Sequence, residues 1–210
     1  MNNQSPWTLE FAWIETKPGE KAGYQWGQLA GSTHRLQFVA DEIERAYEEK
    51  DIEYALNRFA YNAENYLNRV FELRERLLCF LKAITGCEDD VGRLRKPAMR
   101  SNAVKSIETN SAKPIKVPIG LLELLNDDVK LRGQHTHKNF LDLYIYTGDN
   151  LFYPHDVLLD LKRKPQDKKL LEDFLWKEIR RHLEEYSEKI EKIFKMTWNF
   201  LKETQPHIYS

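Results

Sequence analysis

From Ile52 to Ile84, apolar side chains recur every three or four residues, through Leu56, Phe59, Ala63, Tyr66, Val70, Leu77 and Phe80. That is the period of one face of an α-helix, sustained well beyond the length of an ordinary one. Asp51 stands just before the run, where a side-chain oxygen accepts from the first unpaired amides. Gly86 stands just after it, where a left-handed residue closes the last turn. A helix with so long an apolar face must bury it against other elements.

A second stretch of this kind runs from about Asp167 to Glu203. Its face is Leu171, Phe174, Leu175, Ile179, Leu183, Tyr186, Ile190, Ile193 and Phe194, and its opposite side is dense in Lys, Arg and Glu. Ser32 or Thr33 is placed to cap a shorter helix reaching Tyr47 with Leu36, Val39, Ala40 and Ile43, and Ile119 through Lys130 carries Leu121, Leu122, Leu125 and Val129. Packing these faces together gives an all-α fold, an antiparallel helical bundle of long amphipathic helices, as one domain over residues 32–210. Residues 1–31 read differently. Trp7, Trp13 and Trp26 flank a Lys17-Pro18-Gly19-Glu20 turn, with Gly23, Gly27 and Gly31 following. This predicts an irregular, tryptophan-rich arm packed on the bundle. Pro97, Pro114 and Pro118 confine any helix in the segment 89–118 to roughly Ala98–Thr109. For Phe140–Tyr146, ahead of the Thr147-Gly148-Asp149-Asn150 turn, periodicity leaves helix and extended chain both open.

Charge narrows the function classes. Lys and Arg number 32 and Asp and Glu 33, a net charge of −1, so any attraction to a polyanion has to be local. One segment offers it. Between Val91 and Lys116 the basic residues are Arg93, Arg95, Lys96, Arg100, Lys105, Lys113 and Lys116, against Glu108 as the sole acid, a local charge of +6. No apolar stretch approaches the roughly 18 residues of a membrane span, and residues 1–10 lack the basic head and apolar run of a secretory leader. The expectation is a cytoplasmic protein with no membrane partner. Cys79 and Cys87 have neither CxxC nor Cys/His spacing and are expected to be free thiols. Phosphate-binding loops, GxGxxG, HExxH and GxSxG are missing, so no cofactor is expected.

The residues that carry chemistry follow the Ile119 helix: Arg132-Gly133-Gln134-His135-Thr136-His137. Cleaving RNA by internal attack needs a group that exchanges protons near neutral pH and a cation that holds phosphate as charge develops. Histidine and arginine supply these. In a straight helix five residues turn a side chain through about 500°, which leaves positions 132 and 137 roughly 140° apart. Convergence of Arg132 with His137 therefore requires Gly133 to break the helix. If it does not, His135, three residues on, is the nearer partner. A metal at His135 and His137 would need a third ligand such as Asp127, Asp128 or His155, and none is assigned.

An all-α bundle with Arg-x4-His at a helix end resembles the HEPN superfamily. The resemblance covers the helical architecture over most of residues 33–205, with Gly133 standing where members usually carry a polar residue. It implies an RNA-directed protein, a metal-independent endoribonuclease of a toxin or defence system. Arg132 and His137 would be its catalytic pair, Gln134 and His135 their helpers, and a homodimer would place two motifs in a shared cleft. Arg93, Arg95, Lys96, Arg100 and Lys105 are then the candidate RNA contacts. The alternative is a non-catalytic helical protein that works through a protein partner or self-association, with Arg132 capping its helix and the basic segment a solvated surface.

Overall fold

The structure is a computed structural model and describes residues 21–45, 48–111, 113–138, 145–147, 150–152 and 168–209. Its helices are α1 (Lys21–Arg45), α2 (Ile52–Thr85), α3 (Glu88–Arg93), α4 (Pro97–Asn110), α5 (Ile119–Lys138), α6 (Lys168–Thr204) and α7 (Pro206–Tyr209). Two three-residue strands, β1 (Ile145–Thr147) and β2 (Asn150–Phe152), pair antiparallel with Ile145 opposite Phe152. The fold is all-α, and among the described residues no helix is long and apolar enough to cross a membrane.

α2 is the central element and packs against α1, α3, α5 and α6. Its ends are set as the sequence predicts. Asp51 accepts from the Glu53 and Tyr54 amides at 2.9 and 3.1 Å. Gly86 adopts φ 73° and donates its amide to the Lys82 carbonyl. All the apolar positions of the predicted face, from Leu56 to Ile84, are buried. α1 folds back on α2, as Ser32 reaches Glu72 while Glu42 meets Asn62 and Arg58. α6 runs in the same direction as α2, since Phe59 meets His182 and Phe80 meets Phe200. The two longest helices are thus parallel neighbours, and α1 runs against both, with Trp26 reaching Leu201.

The first helix corrects the predicted boundary of the arm. It begins at Lys21, so Gly23, Trp26, Gly27 and Gly31 are helical. Ser32 and Thr33 are buried within it rather than capping it, and the Thr33 hydroxyl donates to the Leu29 carbonyl at 2.9 Å. Each interior glycine costs a helix about 1 kcal/mol relative to alanine. Burial of Trp26, Leu29, Ala30 and Leu36 outweighs that, and the Trp26 indole N–H is satisfied by the Leu201 carbonyl at 3.2 Å. Trp7, Trp13 and the Lys17–Glu20 turn lie outside the described residues, as do residues 139–144.

α4 matches its predicted span to within a residue at each end, with Pro97 in the first turn, where a missing amide costs nothing. Cys79 and Cys87 are free thiols.

The caps of α2 are testable. Gly86→Ala is expected to cost about 1–2 kcal/mol, because no close neighbour blocks its Cβ and only the left-handed backbone opposes it. Asp51→Ala is expected to cost about 1 kcal/mol. Urea denaturation of the two variants measures both.

Candidate functional site

The site residues lie where α5 crosses α2 and α6. Asp128 points inward from α5 and is buried. Its carboxylate accepts the Tyr66 hydroxyl of α2 at 2.6 Å and the Lys189 ammonium of α6 at 2.5 Å. The Tyr186 ring packs edge-on to Tyr66 with centroids 4.9 Å apart. A carboxylate taken out of water is tolerated only when its lone pairs are matched, and here one neutral and one charged donor match them. Burial, reinforced by the adjacent Asp128 charge, pushes the Tyr66 phenol far above its ordinary pKa. The same causes push Tyr186 up to about 12. Tyr66 is therefore a fixed donor to Asp128.

One helical turn beyond Asp128 stands Arg132. Its Nε donates to Asn68 Oδ1 at 2.9 Å, and its guanidinium carbon lies 4.2 Å from the centre of the Phe71 ring. A second guanidinium, from Arg74, lies 5.4 Å from the same ring, donates to Asn126 Oδ1 at 3.2 Å and pairs with Glu75 at 2.8 Å. Stacking on an aromatic face and a hydrogen bond at Nε fix the plane of Arg132 while leaving the residue half-buried at the surface.

Gly133 does not break the helix. α5 continues to Lys138, so the whole stretch Arg132–His137 is helical. Of the two alternatives left open at Gly133 this is the unbroken helix, whereas convergence of Arg132 with His137 depended on a break. A glycine weakens a helix by about 1 kcal/mol, too little to end one that is docked on both α2 and α6. Positions 128, 132 and 135 follow each other at intervals of four and three on one face of α5, and position 137 falls about 140° from position 132. The side chains of Gln134, His135 and His137 lie outside the described residues.

The basic segment is less positive than its composition implies. Arg93 pairs with Asp90 at 2.8 Å, Arg95 with Glu75 at 2.6 Å, and Arg100 with Glu123 at 3.5 Å and the Leu94 carbonyl at 3.2 Å. All three acids come from outside the span 91–116, two of them from other helices, so counting charge along the chain missed them. Lys96 and Lys105 are exposed.

Among the described residues no three His, Cys, Asp or Glu side chains converge on a point. Asp127 is exposed and Asp128 is engaged by Tyr66 and Lys189, while His155 lies outside the described residues. Sequence reasoning weighed Asp128 as a third metal ligand and did not pair it with Tyr66 or Lys189. Its only signal was its place one turn before Arg132.

Comparison with known proteins gives no match to a family model, a curated protein or a solved structure.

Two outcomes follow from the junction. Asp128→Ala strands the Lys189 ammonium and the Tyr66 hydroxyl and is expected to cost about 3 kcal/mol, whereas Tyr66→Phe removes one hydrogen bond and should cost about 1 kcal/mol; denaturant titration distinguishes them. His182, beside Phe59, has its pKa lowered from 6.5, first by burial and then by Arg181, although Glu185 and Glu178 oppose the shift. Its folded pKa lies below the unfolded one, so its contribution to stability is complete above about pH 6.5 and is lost as pH falls through the folded value. His182→Gln is expected to flatten the stability profile in that window, as read by thermal melts across pH.

Proposed function

We propose that this chain is an RNA-directed protein of HEPN-like type, a metal-independent endoribonuclease in which Arg132 holds the scissile phosphate. The observation that supports this reading is the held guanidinium: Asn68 and Phe71 orient Arg132 before any ligand arrives, so binding phosphate does not require the side chain to be ordered first.

On a continuous α5, position 135 falls one turn from Arg132 and position 137 about 140° away, so this reading pairs His135 with Arg132 in place of His137. In the proposed step a histidine on this face takes the proton of a ribose 2′-hydroxyl. The 2′-oxygen attacks phosphorus, the bond from phosphorus to the 5′-oxygen breaks, and the leaving oxygen takes up the proton from the imidazolium so formed. The products are a 2′,3′-cyclic phosphate and a 5′-hydroxyl. Arg132 offsets the charge that builds on the phosphoryl oxygens. Neither bond change calls for a redox group.

The test is cleavage of a mixed RNA pool by purified protein in the presence of a chelator, with the ends identified chemically. Arg132→Ala and His135→Ala are each expected to slow cleavage by about 100-fold or more, and His137→Ala by only a few-fold. A chain that cleaves no RNA, or cleaves it equally well without Arg132 and His135, overturns the reading.

A further inference from the structure

Phe71 of α2 is shared by two guanidiniums. Arg132 of α5 lies 4.2 Å from the centre of its ring, and Arg74, one turn further along α2, lies 5.4 Å from it. Both belong to one ring, so they are no farther apart than those two distances together. Each is also held by an asparagine carbonyl, since Asn68 accepts from Arg132 at 2.9 Å and Asn126 accepts from Arg74 at 3.2 Å. Two like charges held this close repel each other, and an anion bound beside both offsets the repulsion.

The carboxylate next to Arg74 is divided between two cations. One oxygen of Glu75 accepts from Arg74 at 2.8 Å and the other accepts from Arg95 at 2.6 Å. Burial opposes ionisation of Glu75, yet the hydrogen bonds and charges of Arg95 and Arg74 hold its pKa below the ordinary value. One anion therefore serves two guanidiniums, and the trio keeps a positive charge in excess. Three of the five N–H groups of Arg74 are committed, two to Glu75 and one to Asn126, which among the described residues leaves one on each terminal nitrogen. Asn126 adds to the surplus. Its Oδ1 is taken by Arg74, and its Nδ2 is enclosed without an acceptor, so the amide contributes unopposed positive potential beside the guanidinium.

We propose that Arg74 is a second phosphate ligand, holding the phosphodiester next to the one that Arg132 holds, so that the site takes RNA with a phosphodiester flanking the scissile one. Successive phosphates of a strand call for cations side by side, and Phe71 orients two of them. The role of Arg74 rests on the reading of Arg132 as a phosphate ligand, but it requires no cleavage.

Titration with 2′-O-methyl oligonucleotides, which cannot be cleaved by internal attack, tests this by protein NMR at several salt concentrations. For the wild type, a trinucleotide with two phosphodiesters is expected to bind about tenfold tighter than a dinucleotide with one, and the log–log salt slope to steepen by about 0.7. The Asn126 side-chain amide is expected to shift with the trinucleotide only. Arg74→Gln should abolish the preference and leave dinucleotide affinity unchanged, Arg74→Lys should keep the salt increment because it keeps the charge, and Arg132→Gln should weaken both ligands alike. Urea denaturation of each variant separates loss of fold from loss of binding.

A wild type that binds neither ligand or both equally, an Asn126 amide that does not respond, or a folded Arg74→Gln protein that still prefers the trinucleotide overturns the proposal. RNA cleavage without the trinucleotide preference removes the role of Arg74 alone. The preference without cleavage removes the endoribonuclease reading alone.

Discussion

The burial of α2 on several sides sets the terms for everything around it. Tyr66, Val70, Leu73, Leu77, Phe80 and Leu81 are all inaccessible to solvent, so this one helix needs several others to cover it. α1, α5 and α6 do so, each on its own sector. Close packing then transmits the orientation of α2 to every neighbour, because ridges of side chains admit few relative placements. The Asp51 cap and the Gly86 stop matter for the same reason: they set where this template begins and ends.

Within that apolar template Asp128 is the exception that gives α5 its register. Apolar contacts between α2 and α5 tolerate sliding, whereas a carboxylate with two specified donors does not. Tyr66 from one helix and Lys189 from another reach the same group, so a displacement of α5 by one residue would leave a charge buried without partners. Arg132 inherits its place from this lock, one turn away on the same face, and its contacts with Asn68 and Phe71 complete it. The position of the candidate phosphate ligand is thus a consequence of a polar contact deeper in the bundle.

Electrostatics along the sequence and across the fold point in different directions. A run of residues 91–116 with a charge of +6 reads as a polyanion site when counted on its own. Folding brings Asp90, Glu75 and Glu123 to its arginines and removes much of that charge. The α1–α2 surface is the converse case, because its charges pair within and between the two helices.

The amino-acid sequence alone determined the helical class, the limits of α2 and α4 and the buried face of the longest helix, because periodicity, capping and proline act through neighbours a few residues away. It misjudged Lys21–Gly31, where three glycines obscured the three-and-four spacing of Trp26, Leu29, Ala30 and Thr33. It left open whether Gly133 breaks α5, since local propensity carries no information about docking on α2 and α6. Only the tertiary structure decided that α2 and α6 run parallel, that Asp128 meets Tyr66 and Lys189, and which acids neutralise the basic segment. Apart from Arg93 with Asp90, those contacts join residues separated by tens of positions, and their energies depend on distance and burial that exist only once the chain has packed.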